Sequence, residues 1–281
     1  MLNKLVMTVA LVAACGGTWA QTSSPQEAET ERVLRELHWL APGGNGSLAG
    51  KATFKASEKY TFLNSSDTDK FLKANGNPPQ GDSVTIAPTK GEWFGILSFA
   101  PEGYVKDDES IDADALLKTL KENNTASNEE KRKQGYAPLK LEGWALAPRY
   151  DRENKRLEWG TLLRTDDNKQ VVNVSTRILG RSGYTSAILV TSSQTLDADL
   201  KDFKVALRDF EYVSGEKYSE WREGDKVAAY GLGALVLGGA AAAVASKGGF
   251  KVIGALLVAG VAGLWAGIKR LFSRKKSGAE G

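Results

Sequence analysis

The sequence predicts an α+β fold: a mainly antiparallel sheet covered by helices, followed by a C-terminal transmembrane helix or helical hairpin. Three observations predict it. Strand-like runs come in adjacent pairs joined by short turns, which pair antiparallel. Amphipathic helical stretches fall between those pairs and must bury an apolar face against them. Residues 227–268 hold two apolar runs and are followed by a basic tail, 269–281.

The chain starts with a short positive stretch, Met1 to Lys4, then an apolar core over 5–14 and Thr18-Trp19-Ala20 before Gln21. This is the pattern of a secretory signal peptide over residues 1–20. Cleavage after Ala20 is the first reading. Val12-Ala13-Ala14-Cys15 resembles a lipobox, so lipidation at Cys15 is the second. Cys15 is the one cysteine of the chain. Cleavage after Ala20 therefore excludes disulfides, thiolate nucleophiles and Cys-ligated metals from the mature protein.

Residues 21–226 form the expected exported domain. Residues 27–40 carry Val33, Leu34, Leu37 and Leu40 at helical spacing, ended by Pro42-Gly43-Gly44. Residues 47–56 and 59–63 read as two strands joined by a turn. Ser65 or Ser66 caps a short helix through Phe71 and Leu72. Strands follow at 83–87 and 92–99. A helix over 111–133 has Leu116, Leu117 and Leu120 as its apolar stripe. Four strand-like runs come next, at 139–147, 157–164, 170–179 and 184–191. A helix over 197–210 buries Leu200, Phe203, Leu207 and Phe210. At fold level this order resembles, loosely, the sandwich of PsbP-like photosystem proteins, a likeness that carries no function.

The two apolar runs cover 227–245 and 252–268, each roughly 25–28 Å long as a helix. Either approaches the hydrocarbon thickness of about 30 Å. The second is the better span because it is richer in large aliphatics, with Lys251 at its edge where the stem snorkels. The basic tail belongs in the cytoplasm by the positive-inside rule, which favours one crossing over a hairpin. Ala259, Gly263 and Gly267 give a small-residue face for helix packing and self-association. The expected address is the bacterial inner membrane with the main domain periplasmic. The expected partners are inner-membrane lipid and an envelope protein or a second copy.

With 25% charged and 42% hydrophobic residues the chain is globular rather than disordered. A net charge of +3 that owes much to the tail argues for no nucleic-acid partner. His38 is the one histidine, so a His-rich metal site is excluded and a Ser-His-Asp hydrolase would depend on it alone. No cofactor motif is present: Gly231-Leu232-Gly233 follows no strand and is no dinucleotide loop.

Three constellations remain. Asp107, Asp108, Asp112 and Asp114 form an acidic patch that would gather a cation, but the EF-hand spacing is absent. The stronger reading is that an Asp or Ser before Ala113 caps the helix. Trp144 and Tyr150 with Asp151 would line a sugar- or peptide-binding face, against their use as cross-strand partners. Asp151 with Asp107 or Glu142 would serve a two-carboxylate glycosidase, and Asp107, Asp108 or Asp151 a carboxylate-dependent hydrolase. Leu179-Gly180-Arg181-Ser182-Gly183 is a hairpin turn, not a nucleophile elbow.

Gly103-Tyr104-Val105-Lys106-Asp107-Asp108, residues 111–117, Gly143-Trp144 with Pro148 and Tyr150-Asp151, residues 179–183 and residues 224–232 together resemble the membrane-anchored bacterial proteins grouped as domain of unknown function 2167. The resemblance implies an exported, membrane-anchored envelope protein and supplies no reaction or active-site residue. The leading expectation is a non-enzymatic binding or assembly module. The alternatives are a carboxylate-dependent hydrolase of envelope polymer and a helix-oligomer membrane subunit.

Overall fold

A computed structural model describes residue 29, residues 32–90 and residues 93–239. Strands β1 (Asn45–Leu48), β2 (Ala52–Lys55) and β3 (Tyr60–Leu63) come first, then helix α1 (Ser65–Ala74). Strands β4 (Val84–Pro88) and β5 (Phe94–Ala100) precede helix α2 (Ala113–Lys133). Four long strands follow: β6 (Lys140–Asp151), β7 (Arg156–Arg164), β8 (Gln170–Leu179) and β9 (Tyr184–Ser192). Helix α3 (Leu196–Ala206), strand β10 (Glu211–Tyr212) and helix α4 (Leu232–Leu237) complete the described chain.

Seven strands form one antiparallel sheet in the order β3-β4-β5-β9-β8-β7-β6, and β1-β2-β10 form a small second sheet. The central strands are rich in Val, Ile and Thr, which suit a pleated, half-buried surface. Strand alternation then sorts their side chains by face. Ala187, Leu189, Val172, Val174 and Ile178 join Phe203, Leu207 and Phe210 under α3 and the small sheet. Ile188, Val190 and Ile96 meet Phe71 and Leu72 of α1 on the other face. Leu157, Trp159, Leu179 and Tyr184 meet Leu116 of α2 and Leu232, Leu235 and Val236 of α4 on that same side. The α+β class with antiparallel sheets is therefore a property of the chain's own topology.

Edge strand β6 is closed off by side chains. Asn128 of α2 donates to Leu139 O at 2.9 Å and accepts from Leu139 N at 3.0 Å, and Asn124 Oδ1 accepts from Leu141 N at 3.0 Å. Two carboxamides thus stand where another strand would pair, and three register shifts further along β6 spoil the rest of that edge.

Four differences from the sequence reading have physical causes. Of the helix expected over 27–40, only residues 29 and 32–35 are helical among the described residues. Leu40 instead extends, its N–H bonding Phe62 O at 2.9 Å, because strand pairing outcompetes helical spacing at the sheet edge. The run 47–56 is not one strand but a hairpin turning at Ala49 and Gly50, both at positive φ. Asn64, not Ser65 or Ser66, caps α1. Residues 227–237, expected as the start of the membrane segment, belong to the packed body: Val227 bridges Tyr104, and Leu232, Leu235 and Val236 are fully buried. The folded domain therefore runs past the expected boundary at 226. No helix among the described residues is long and apolar enough to cross a membrane. The signal region 1–20, the better span 252–268 with Ala259, Gly263 and Gly267, and the tail 269–281 lie outside the described residues.

Candidate functional site

Segment 211–230 is bolted across one end of the large sheet. Tyr212 places its hydroxyl between Ile178 O, to which it donates at 2.6 Å, and Thr185 N, from which it accepts at 2.8 Å. The hairpin turn at 180–183 is held from outside: Arg181 makes two bonds to the Asp225 carboxylate, at 2.7 and 2.8 Å. Glu216 accepts from Ser182 and Lys51. Arg181 is the first cause of the low Asp225 pKa, brought down to about 2. Two glycines permit the close approach. A Cβ on Gly183 would sit 2.0 Å from Ala100 O, and Gly103, at φ +100, passes so near that a Cβ would lie 2.7 Å from Lys226 O. Tyr104 N then bonds Lys226 O at 2.8 Å and Ala228 N bonds Tyr104 O at 2.9 Å.

This docking creates a cleft of about 640 Å³ between segment 211–221 and the β6–β7 turn. Tyr104 stacks on Tyr218 with ring centroids 4.4 Å apart, and Trp221 lies 5.5 Å from Tyr104. Lys155, Arg156 and Lys217 supply cations to the lining, with Glu153 and Glu211 opposite in sign. Lys217 is answered by Glu211 at 2.9 Å and Lys155 by Asp107 at 2.9 Å. Arg156 differs. One of its terminal nitrogens makes a long 3.4 Å bond to Leu207 O, and its buried Nε has no hydrogen-bond partner. Burial depresses its pKa against the opposing pull of the Asp151 and Glu158 carboxylates, so its charge is only partly compensated.

The residues singled out in the sequence separate in space. Asp107 lies beside the cleft and accepts from Tyr150 Oη at 2.8 Å and from Lys155. Burial opposes its ionisation, but those bonds and the Lys155 charge outweigh burial and hold it below the usual carboxylate range. Tyr150 moves the other way, pushed up by burial and by Asp107. Asp107 is thus a fixed carboxylate, unsuited to protonate a leaving group. Asp108 is exposed. Asp112 caps α2, accepting from Asp114 N and Ala115 N, and Asp114 occupies the first turn where acids complement the dipole. No group of three or more metal-ligating side chains gathers among the described residues.

Asp151 folds back on the β6–β7 turn, accepting from Glu153 N, Asn154 N and Asn154 Nδ2. Glu142 is taken by Arg164 and Gln170 at the opposite end of β6. Eight residues of β6 lie between Glu142 and Asp151, roughly 25–30 Å, far beyond the separation of about 5–10 Å that a carboxylate pair needs. Asp151 also projects from the face opposite Tyr150, away from Asp107. Trp144 is no free binding aromatic: its Nε1 donates to Ala113 O at 3.1 Å and ties β6 to α2. His38 Nδ1 lies 3.0 Å from the buried Asp67, at the far side of the sheet from the cleft.

Lys155, Arg156, Lys217, Tyr218 and Trp221 are site residues that pattern reading missed. Their sequence signal is faint: Lys217-Tyr218-Ser219-Glu220-Trp221 sets aromatics in a polar run with neither helical nor strand period.

A family model described as "Protein of unknown function (DUF2167)" matches residues 42–269. No curated protein matches the chain. One similar solved structure is the solution structure of cyanobacterial PsbP (CyanoP) from Synechocystis sp. PCC 6803, at 13% identity over 62% of this chain and 95% of that one, with a TM-score of 0.35. At that score the likeness carries no argument, and the fold class rests on the sheet order itself.

Proposed function

The chain belongs to the DUF2167 family, and from that premise we propose an exported, membrane-tethered binding module that takes an anionic envelope ligand in the cleft over Arg156. The observation that carries the ligand class is the gathering of Lys155, Arg156 and Lys217 round an aromatic-walled cleft, with Arg156 Nε left without a hydrogen-bond partner behind it. A phosphate or carboxylate there gains a charge-assisted bond, and ring-bearing or apolar parts of the ligand stack on Tyr104, Tyr218 and Trp221. The tether rests on the apolar run 252–268 and the basic tail, and export on the signal pattern at 1–20. The address is the bacterial inner membrane with the body periplasmic. Small residues Ala259, Gly263 and Gly267 add self-association through the span.

A hydrolase reading ranks lower, because Asp107 is tied to Lys155 and Tyr150 while Asp151 serves its own turn. The test is thermal unfolding of the full chain in detergent against phosphate- and carboxylate-bearing glycans and headgroups. A ligand present at 100 times its Kd adds about 2.7 kcal/mol. The proposal expects a stabilising ligand whose effect is lost in Arg156→Met. Equal binding by Arg156→Met, or glycan hydrolysis abolished by Asp151→Asn, would reverse it.

A further inference from the structure

We propose that the end of the domain bearing the cleft docks on the lipid surface, seating Trp221 and Val227 at headgroup depth so that the cleft opens onto the membrane. This rests on the tether proposed above.

Trp221 and Val227, 41% and 40% exposed, are the exposed large hydrophobic side chains among the described residues. They are not scattered. Val227 bridges the backbone of Tyr104, and the Trp221 ring packs 5.5 Å from that same tyrosine. Exposed Arg222 and Lys226 flank them, with exposed Glu223 between. Tryptophan and tyrosine with an apolar body and a polar tip settle at the water–lipid boundary, and flanking cations reach the headgroups.

Gly239, the last described residue, lies at this end. A Cβ on Gly239 would lie 2.8 Å from Glu102 Oε2 and 2.9 Å from Tyr184 Oη, and Glu102 precedes Tyr104 by two residues. Residues 240–268 contain no Asp or Glu, and their two charges are Lys247 and Lys251. Twelve residues, 240–251, link Gly239 to the span beginning at 252, so even full extension keeps Gly239 within about 45 Å of the bilayer. A protein partner would also favour Trp, Tyr and Arg. Lipid is the occupant because the tether delivers this face to it at high effective concentration.

The test uses the full chain with Cys15→Ser, reconstituted in vesicles of mixed anionic and zwitterionic lipid. A single cysteine at Ser219→Cys, exposed beside Trp221 in the cleft lining, or at Asp166→Cys carries a bimane probe. Asp166 is exposed in the turn beyond the opposite end of β7, a strand about 26 Å long from Arg156 to Arg164. The expected result is iodide quenching several-fold weaker at 219 than at 166, with brominated acyl chains quenching 219 alone. Equal iodide quenching at both sites in carbonate-resistant chain overturns the docking and leaves the tether standing. A disulfide-linked dimer through position 219 overturns it in favour of a second copy. Release of the chain by alkaline carbonate overturns the tether and this inference with it.

Discussion

Replacing Tyr212 by Phe removes one oxygen from the joint that holds segment 211–230 to the sheet. That hydroxyl donates to Ile178 O and accepts from Thr185 N, and it lies 3.1 Å from Thr185 Oγ1. Tyr212 is 7% exposed, so water does not take its place. The variant leaves one buried N–H and one buried carbonyl unpaired, each costing about 1–3 kcal/mol. Ile178 and Thr185 face each other in the register of β8 and β9, so partial closure of a direct bond trims the total to about 2–4 kcal/mol. For a domain near this size that is a Tm drop of roughly 4–16 °C. The assay is thermal unfolding of the full chain in mild detergent, followed by near-ultraviolet circular dichroism. A change below about 0.5 kcal/mol would refute the reasoning, because it is the size of an ordinary surface substitution.

Other predictions follow from charge. Asp225, Glu216 and Asp107 all ionise below their ordinary values in the folded chain. Their contribution is present above the unfolded pKa and lost as pH falls through the folded one. Amides of residues 213–228 should therefore lose hydrogen-exchange protection as pH drops from about 4 toward about 2, and uniform protection at pH 2 would contradict this. Burial raises Tyr212 and Tyr218 above the usual phenol range. Above pH 10 the unfolded chain releases those protons first, so stability falls with rising pH by about 1.4 kcal/mol per unit for each tyrosine. A denaturation midpoint flat between pH 10 and 11.5 would count against their burial. Millimolar calcium should leave the Tm unchanged, because Asp107 and Asp112 already serve Lys155, Tyr150 and the α2 cap; a calcium-dependent rise would reinstate the acidic patch as a metal site.

The long elements were legible because their periods are strong. Helix α2 starts two residues inside the expected 111–133, and β7, β8 and β9 fall within a residue or so of the runs that alternation marked. Phe203, Leu207 and Phe210 are buried as their spacing required. What the sequence hid was set by distant partners. Strand β10 is two residues long and exists because Ala52 and Thr53 pair with it. Helix α4 looked like membrane because burial in a body and burial in lipid select the same apolar side chains. The cleft was invisible for a related reason. Its cations and rings come from three separated stretches that only the docking of segment 211–230 brings together.

Alkaline carbonate extraction of membranes from cells expressing the full chain, paired with protease digestion of intact spheroplasts, tests the proposed tether and its sidedness most directly. The account predicts that the chain stays in the carbonate pellet and that protease reaches its body from outside. A chain in the carbonate supernatant, or a body protected in intact spheroplasts, would contradict it.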